Sequence, residues 1–294
     1  MKKENMKDVN GVLLSGDGST LVRVAQEKTS YTIPDGVTSI QSQAFWLCED
    51  LELVVIPNSV TSIGDRAFDG CKSLTSVTIP ASVTSVGKDL FPHCWKLTEI
   101  QVSAGNTHFK SVDGVLFSAD GKTLIQVPPG KPGDEYVIPE GVTHIGDEAF
   151  SGCRSLTSVT IPDSVTSIGA GAFSCCANLT SVKIPAGVTS IGARAFFFCE
   201  SLTSVTIPVG VTRISSFAFQ DCRSLTSVTI PDGVTSIGMA AFAGCTRLTS
   251  VTIPDSVTRI KGVAFYSCFR LTDVRLPAGV KLEYGAFSDC PAFE

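Results

Sequence analysis

The chain has 294 residues, 43% of them hydrophobic, and a formal charge of −5. That apolar content is enough for a substantial core and excludes a disordered chain. The negative balance argues against a nucleic-acid backbone or an anionic membrane as the main partner, and no apolar run reaches the roughly 18 residues a transmembrane helix requires.

Residues 1–8 are polar and are expected to form a flexible terminus. The start, MKKENMKDVNG, carries the pair Lys2-Lys3 but no apolar segment behind it, so it is not an intact secretory signal. Either the protein stays inside the cell, or a signal upstream has been removed. Residues 9–32 follow as an expected β-hairpin cap. In VNGVLLSGDGSTLVRVAQ, from Val9 to Gln26, two short apolar runs flank Asp17-Gly18, a turn signal.

From Ile33 the chain repeats itself. An Ile-Pro pair recurs every 23 residues through Ile56 and Ile79, then from Ile138 to Ile253, and Leu276-Pro277 closes the series. Phenylalanine keeps the same beat from Phe45 to Phe287, and cysteine does so from Cys48 to Cys290, giving ten units. Residues 33–102 form a first block and residues 138–294 a second. Periods of this length mark stacked solenoids. In LTSVTIP, from Leu74, the residues Val77 and Ile79 alternate with Ser76 and Thr78, as in a short strand with one buried face. Pro80 ends that strand's pairing, and Val83 brings the chain back to the apolar side. The segment A-F-x-x-C is expected to make one tight helical or 3-10 turn that drives its phenylalanine and cysteine inward. The single glycines after VTSI are expected to serve turns. One such coil cannot fold alone; stacked coils supply the missing contacts, which explains why the copies are so alike.

The combined motif L-x-x-V-x-I-P-x-x-V-x-x-I-G-x-x-A-F-x-x-C resembles the leucine-rich repeat of the BspA type, from about residue 9 to residue 290. The resemblance implies a repeat solenoid: a curved, right-handed leucine-rich superhelix with short parallel β-strands on its concave side and short strands, turns and 3-10 or helical turns on its convex side. It also implies a non-enzymatic, adhesin-like protein-binding module, at the cell surface or secreted, with host or neighbouring-cell proteins as partners. A cytoplasmic location is not excluded by the residues themselves.

Residues 103–137 interrupt the beat. VDGVLFSADGKTLIQVPPG, from Val112 to Gly130, is a relative of the first hairpin with Asp120-Gly121 at its turn. It either caps a block or projects from the scaffold as a contact surface. The eleven cysteines lack a zinc-type C-x-x-C pair and are expected to be small buried hydrophobes, one per coil, with Cys175 as the extra thiol. Stacked coils would bring their Cα atoms within disulfide range, so bridges stay open at this stage. His93, His108 and His144 occupy unrelated repeat positions, and His93-Cys94 is an adjacency without nucleophile geometry. No catalytic residue, cofactor site or metal site is expected. Asn178-Leu179-Thr180 matches a glycosylation acceptor, relevant only in a eukaryotic secretory pathway.

The remaining signal is the surface. Pairs such as Ser158 and Thr160 make a lawn of hydroxyls along the strands, and specificity is expected where rungs depart from it: Glu52, Leu53 and Val55; Glu99 and Gln101; Lys183; Asp273 and Arg275. Trp46, Trp95, Phe197, Phe198, Phe217, Tyr266, Phe269 and Tyr284 are aromatic exceptions nearby, and aromatics and arginine are the usual interface anchors. An intracellular interaction scaffold is the alternative reading, and an ice-binding hydroxyl array a remote one. The chain is expected to be a monomer. Its end, CPAFE, suggests a degenerate last rung or a fragment of a longer protein.

Overall fold

A computed structural model describes residues 7–9 and 11–293. They form two compact units, residues 1–132 and 133–294, each a β-solenoid. The expected flexible terminus lies outside the described residues except for Lys7 and Asp8, which belong to the strand Lys7–Val9.

One coil of the second unit shows how the repeat becomes structure. Ser158–Thr160 pairs in parallel with Ser181–Lys183 of the next coil, Val159 facing Val182. After Pro162 the chain bends, and Ser167–Ile168 pairs in parallel with Ser190–Ile191. The bend is held by Val165 N–H donating to the Pro162 carbonyl (3.1 Å) and by the Ser164 hydroxyl donating to Val142 of the preceding coil (2.7 Å). Alternation then sorts the side chains: Val159 and Ile168 are buried, while their neighbours Thr160 and Ser167 are exposed and half-buried respectively. The same two ladders recur in the first unit, where Ser76–Ile79 pairs with Glu99–Val102 and Ser39–Ile40 with Ser62–Ile63.

The third side of the coil differs from the expected helical turn. Among the described residues the one 3-10 helix is Pro291–Phe293, and every A-F-x-x-C segment is a chain of hydrogen-bonded turns. In all ten, the residues two before and two after the phenylalanine have positive φ, for example Arg194 (59°) and Phe198 (57°) around Phe196. These left-handed residues break the helix and aim alternate amides at the next coil. Thus the N–H groups of Gly171, Phe173 and Cys175 donate to the carbonyls of Ala193, Ala195 and Phe197 at 2.7–2.8 Å, while those of Ala172, Ser174 and Cys176 close turns within their own coil. A ladder of backbone hydrogen bonds therefore runs from coil to coil along this side too.

The glycines after VTSI also differ from expectation. They have no positive φ; a Cβ on Gly192 would lie 2.4 Å from the backbone nitrogen of Ala170, so they serve close approach between coils.

The core is a stack of like residues. Phe173, Phe196, Phe219, Phe242 and Phe265 are fully buried and stack face to face with centroids 5.1–5.3 Å apart. All eleven cysteines are free. The ladder thiols are buried, and most reach back to a phenylalanine carbonyl of the preceding coil, as in Cys199 Sγ to Phe173 (3.1 Å) and Cys222 Sγ to Phe196 (3.2 Å). Cysteine is thus a small apolar residue with one weak donor to place.

Both hairpins carry a strand more than expected. Phe109–Val112, Val115–Ser118 and Thr123–Gln126 form an antiparallel meander, because Asp113 (φ 50°) and Gly114 (φ 76°) make a two-residue turn of their own. Val115, Leu116 and Phe117 are buried, and Ile100 of the last coil of the unit donates to the Gly114 carbonyl (2.8 Å).

Candidate functional site

The residues singled out on the strands fall into two groups. In the first unit, Leu53 and Val55 lie on the strand Leu53–Val55, exposed at 54% and 44%. Glu52 immediately precedes that strand and is exposed as well. Glu99 and Gln101 stand opposite Ser76 and Thr78 on the neighbouring strand, and the Gln101 amide donates to Glu99 Oε1 (3.1 Å). In the second unit, Lys183 faces Thr160 and borders a groove of about 310 Å³ with Ser158, Asp163 and Pro185. Asp273 and Arg275 face Ser250 and Thr252, four coils further along. The structure does not gather them into one pocket. They are departures in the charge and apolarity of exposed hydroxyl rows.

The aromatic exceptions lie elsewhere, on the side of the coil that carries the phenylalanine turns. There arginines cover several of them: Arg23 over Trp46 (5.2 Å), Arg194 over Phe217 (4.9 Å) and Arg223 over Phe198 (5.9 Å). Tyr266, Phe269 and Tyr284 stay exposed.

On the same side of the first unit is a charged cluster that sequence reasoning missed. His93 Nδ1 lies 2.9 Å from Asp69 Oδ1, and Arg66 Nε 3.3 Å from Asp89 Oδ2. Asp89 is only 5% exposed, and its Oδ1 is buried without a hydrogen-bond partner. Burial pushes the Asp89 carboxyl up to about 6, with nearby Asp69 adding to the rise and Arg66 and His93 opposing it. The available signal was positional: Arg66 and Asp89 lie two residues before their phenylalanines and His93 two after its own, the left-handed positions that stack from coil to coil.

The cluster can hold a proton but offers no nucleophile, since Cys94 is buried and directs its Sγ to the Phe68 carbonyl (3.0 Å). Burial pushes the thiols of Cys48 and Cys153 up to about 12, which keeps them protonated. Among the described residues, no three His, Cys, Asp or Glu side chains are grouped to hold a metal ion. None of the helices there is long and apolar enough to cross a membrane.

Comparison with solved structures gives the same architecture. A leucine-rich repeat protein from Eubacterium ventriosum is 27% identical over 90% of this chain and 77% of its own, with a TM-score of 0.76. A leucine-rich cell surface protein from Faecalibacterium prausnitzii is 34% identical with a TM-score of 0.63; the match covers 85% of this chain and 60% of that one. The pneumococcal vaccine antigen PcpA, 22% identical with a TM-score of 0.58 over 80% of this chain and 62% of its own, shares the fold. No curated protein matches at a significant level. The profile described as BspA type leucine rich repeat region matches in six copies, over residues 25–119, 133–222 and 167–294. The chain belongs to the BspA-type leucine-rich repeat family.

Proposed function

We infer that the protein is a non-enzymatic protein-binding module, displayed at a cell surface or secreted, that holds host or neighbouring-cell proteins in the manner of an adhesin. The observation that carries this reading is the exposure of Leu53 and Val55 on a strand whose neighbour places Ser30 and Thr32 opposite them. A solvated strand gains nothing from two exposed branched apolar side chains, whereas an interface does. The solved cell-surface relative supports the location, and the repeat architecture, which presents extended rows of side chains, supports the binding role.

The test is a pull-down from extracellular-matrix, cell-surface and cytosolic extracts. The bait is the protein beside a variant returned to the repeat consensus: Glu52→Thr, Leu53→Ser, Val55→Thr, Glu99→Ser and Gln101→Thr. A matrix or surface protein kept by the first and lost by the second is expected. Partners from cytosolic extract alone would replace this reading with an intracellular scaffold.

A further inference from the structure

The second unit carries a row of cations on a different face, and it does not depend on the binding face proposed above. On the short strands after the Pro bends, the first residue is partly or fully exposed and is usually serine, as in Ser39, Ser62, Ser167 and Ser190. From Arg213 onward the row becomes Arg213, Ser236, Arg259 and Lys281, held in register across four parallel strands. Lys261 adds a further exposed cation two residues beyond Arg259. Rungs stand about 4.8 Å apart, so Arg259 and Lys281 are like charges side by side, which disfavours the sheet.

Glu283 lies 3.7 Å from Arg259. Arg213, Lys261 and Lys281 make no ion pair among the described residues. A chain of net charge −5 thus concentrates unpaired positive charge on one face of four consecutive coils. Arg213 also ends a groove of about 560 Å³ that runs back over Ser190, Gly192, Ser167 and Asp147 on the same face. The groove opens where the ladder is broken: Ser190–Ile191 and Arg213–Ile214 do not pair, and the Ser215 hydroxyl takes the Ile191 carbonyl (2.6 Å) that a backbone N–H takes in the other coils. Met239 and the 94%-exposed Tyr284 stand just beyond the row, at the repeat position where Ala170 borders that groove.

We propose that the row Arg213, Arg259, Lys261 and Lys281 docks an extended acidic segment of a partner protein, with apolar side chains interspersed among its carboxylates. The row offers charge complementarity in a line of about 14 Å, the length of some four to five extended residues. Met239 and Tyr284 give apolar side chains a place that a sulfated polysaccharide would leave unused.

The test is fluorescence anisotropy with a labelled dodecapeptide of repeating Glu-Leu-Glu-Gly, its leucine-to-glycine analogue, and a heparin-type oligosaccharide. The protein is compared with the triple variant Arg213→Ser, Arg259→Ser and Lys281→Ser, which installs the residue this row uses elsewhere and so keeps the fold, as circular dichroism verifies. Expected are binding of the leucine-containing peptide, loss with added salt, and at least about tenfold weakening in the variant, the sum of three exposed ion pairs. Equal binding by the variant, or no binding by the wild type, overturns the proposal. Tighter binding of the oligosaccharide overturns the choice of a protein partner. The double variant Leu53→Ser, Val55→Thr leaves peptide binding unchanged, which separates failure here from failure of the proposed function.

Discussion

Asp89 makes the first unit's stability depend on pH in the direction opposite to ordinary acid denaturation. Its carboxyl is raised from 3.8 to about 6, chiefly by burial, so between those values the folded chain holds a proton that the unfolded chain releases. The stability it contributes is therefore full below about pH 3.8, and is lost as pH rises through about 6. A rise of roughly two pKa units corresponds to at most about 3 kcal/mol. Arg66, 3.3 Å from Oδ2, is already counted in that balance, while the orphaned Oδ1 is what a proton relieves.

The perturbation is Asp89→Asn, which removes the titration and nearly keeps the shape. Urea unfolding at intervals from pH 4 to pH 8 gives the stability of both proteins, and their difference cancels every carboxylate they share. That difference is expected to swing by about 2–3 kcal/mol, favouring the wild type in acid and the variant in base. Parallel curves, with a swing below about 0.5 kcal/mol, would show that Asp89 is solvated and that the argument from burial is wrong.

Phe196→Ala empties a site between rings 5.1 and 5.3 Å away and is expected to cost about 3–5 kcal/mol; hydrogen exchange should quicken first in the adjoining coils. Val263 is a β-branched residue at φ 52°, so Val263→Gly is expected to stabilise the fold by about 0.5–1 kcal/mol after glycine's extra unfolded-state entropy is counted. A lower melting temperature for that variant would contradict the strain assigned to the turn side. Iodoacetamide is expected to label Cys175 in the native protein and all eleven cysteines after unfolding, because the ten ladder thiols are buried. Mass spectrometry of the peptides reads this directly, and native labelling of Cys222 would refute the packing described.

The repeat was legible because it rests on local sequence pattern and period alone. Two-residue alternation in SVTI, a proline at a fixed offset and a phenylalanine every 23 residues specify strands, bends and a stack without reference to distant contacts. The turn side was not legible for a definite reason: fifteen of its twenty left-handed positions carry residues other than glycine, such as Arg66, Val263 and Phe217, so the usual signature of positive φ is missing. The extra strand of the internal hairpin was hidden in a short Asp113-Gly114 turn. The candidate face could be located from its departures from Ser and Thr. The acid cluster could not, because Asp69 and Asp89 become neighbours only when coils stack 23 residues apart, and neither is unusual in its own sequence context. Met239 was equally silent, and Tyr284 stood out only as one aromatic exception among others, since exposure follows from coil position and not from residue type.

The backbone ladders along the sides of the coils join each to its neighbours, with one side interrupted between Ile191 and Arg213, so they also define a load path. Tension applied along the stack pulls those hydrogen bonds apart lengthwise, and the coil at the free end yields before any interior one. Each coil released adds 23 residues of slack, about 75–80 Å of contour length at full extension. Under tension each unit lengthens by whole coils, and the coils still stacked keep their exposed rows in register while the rest of the chain gives way.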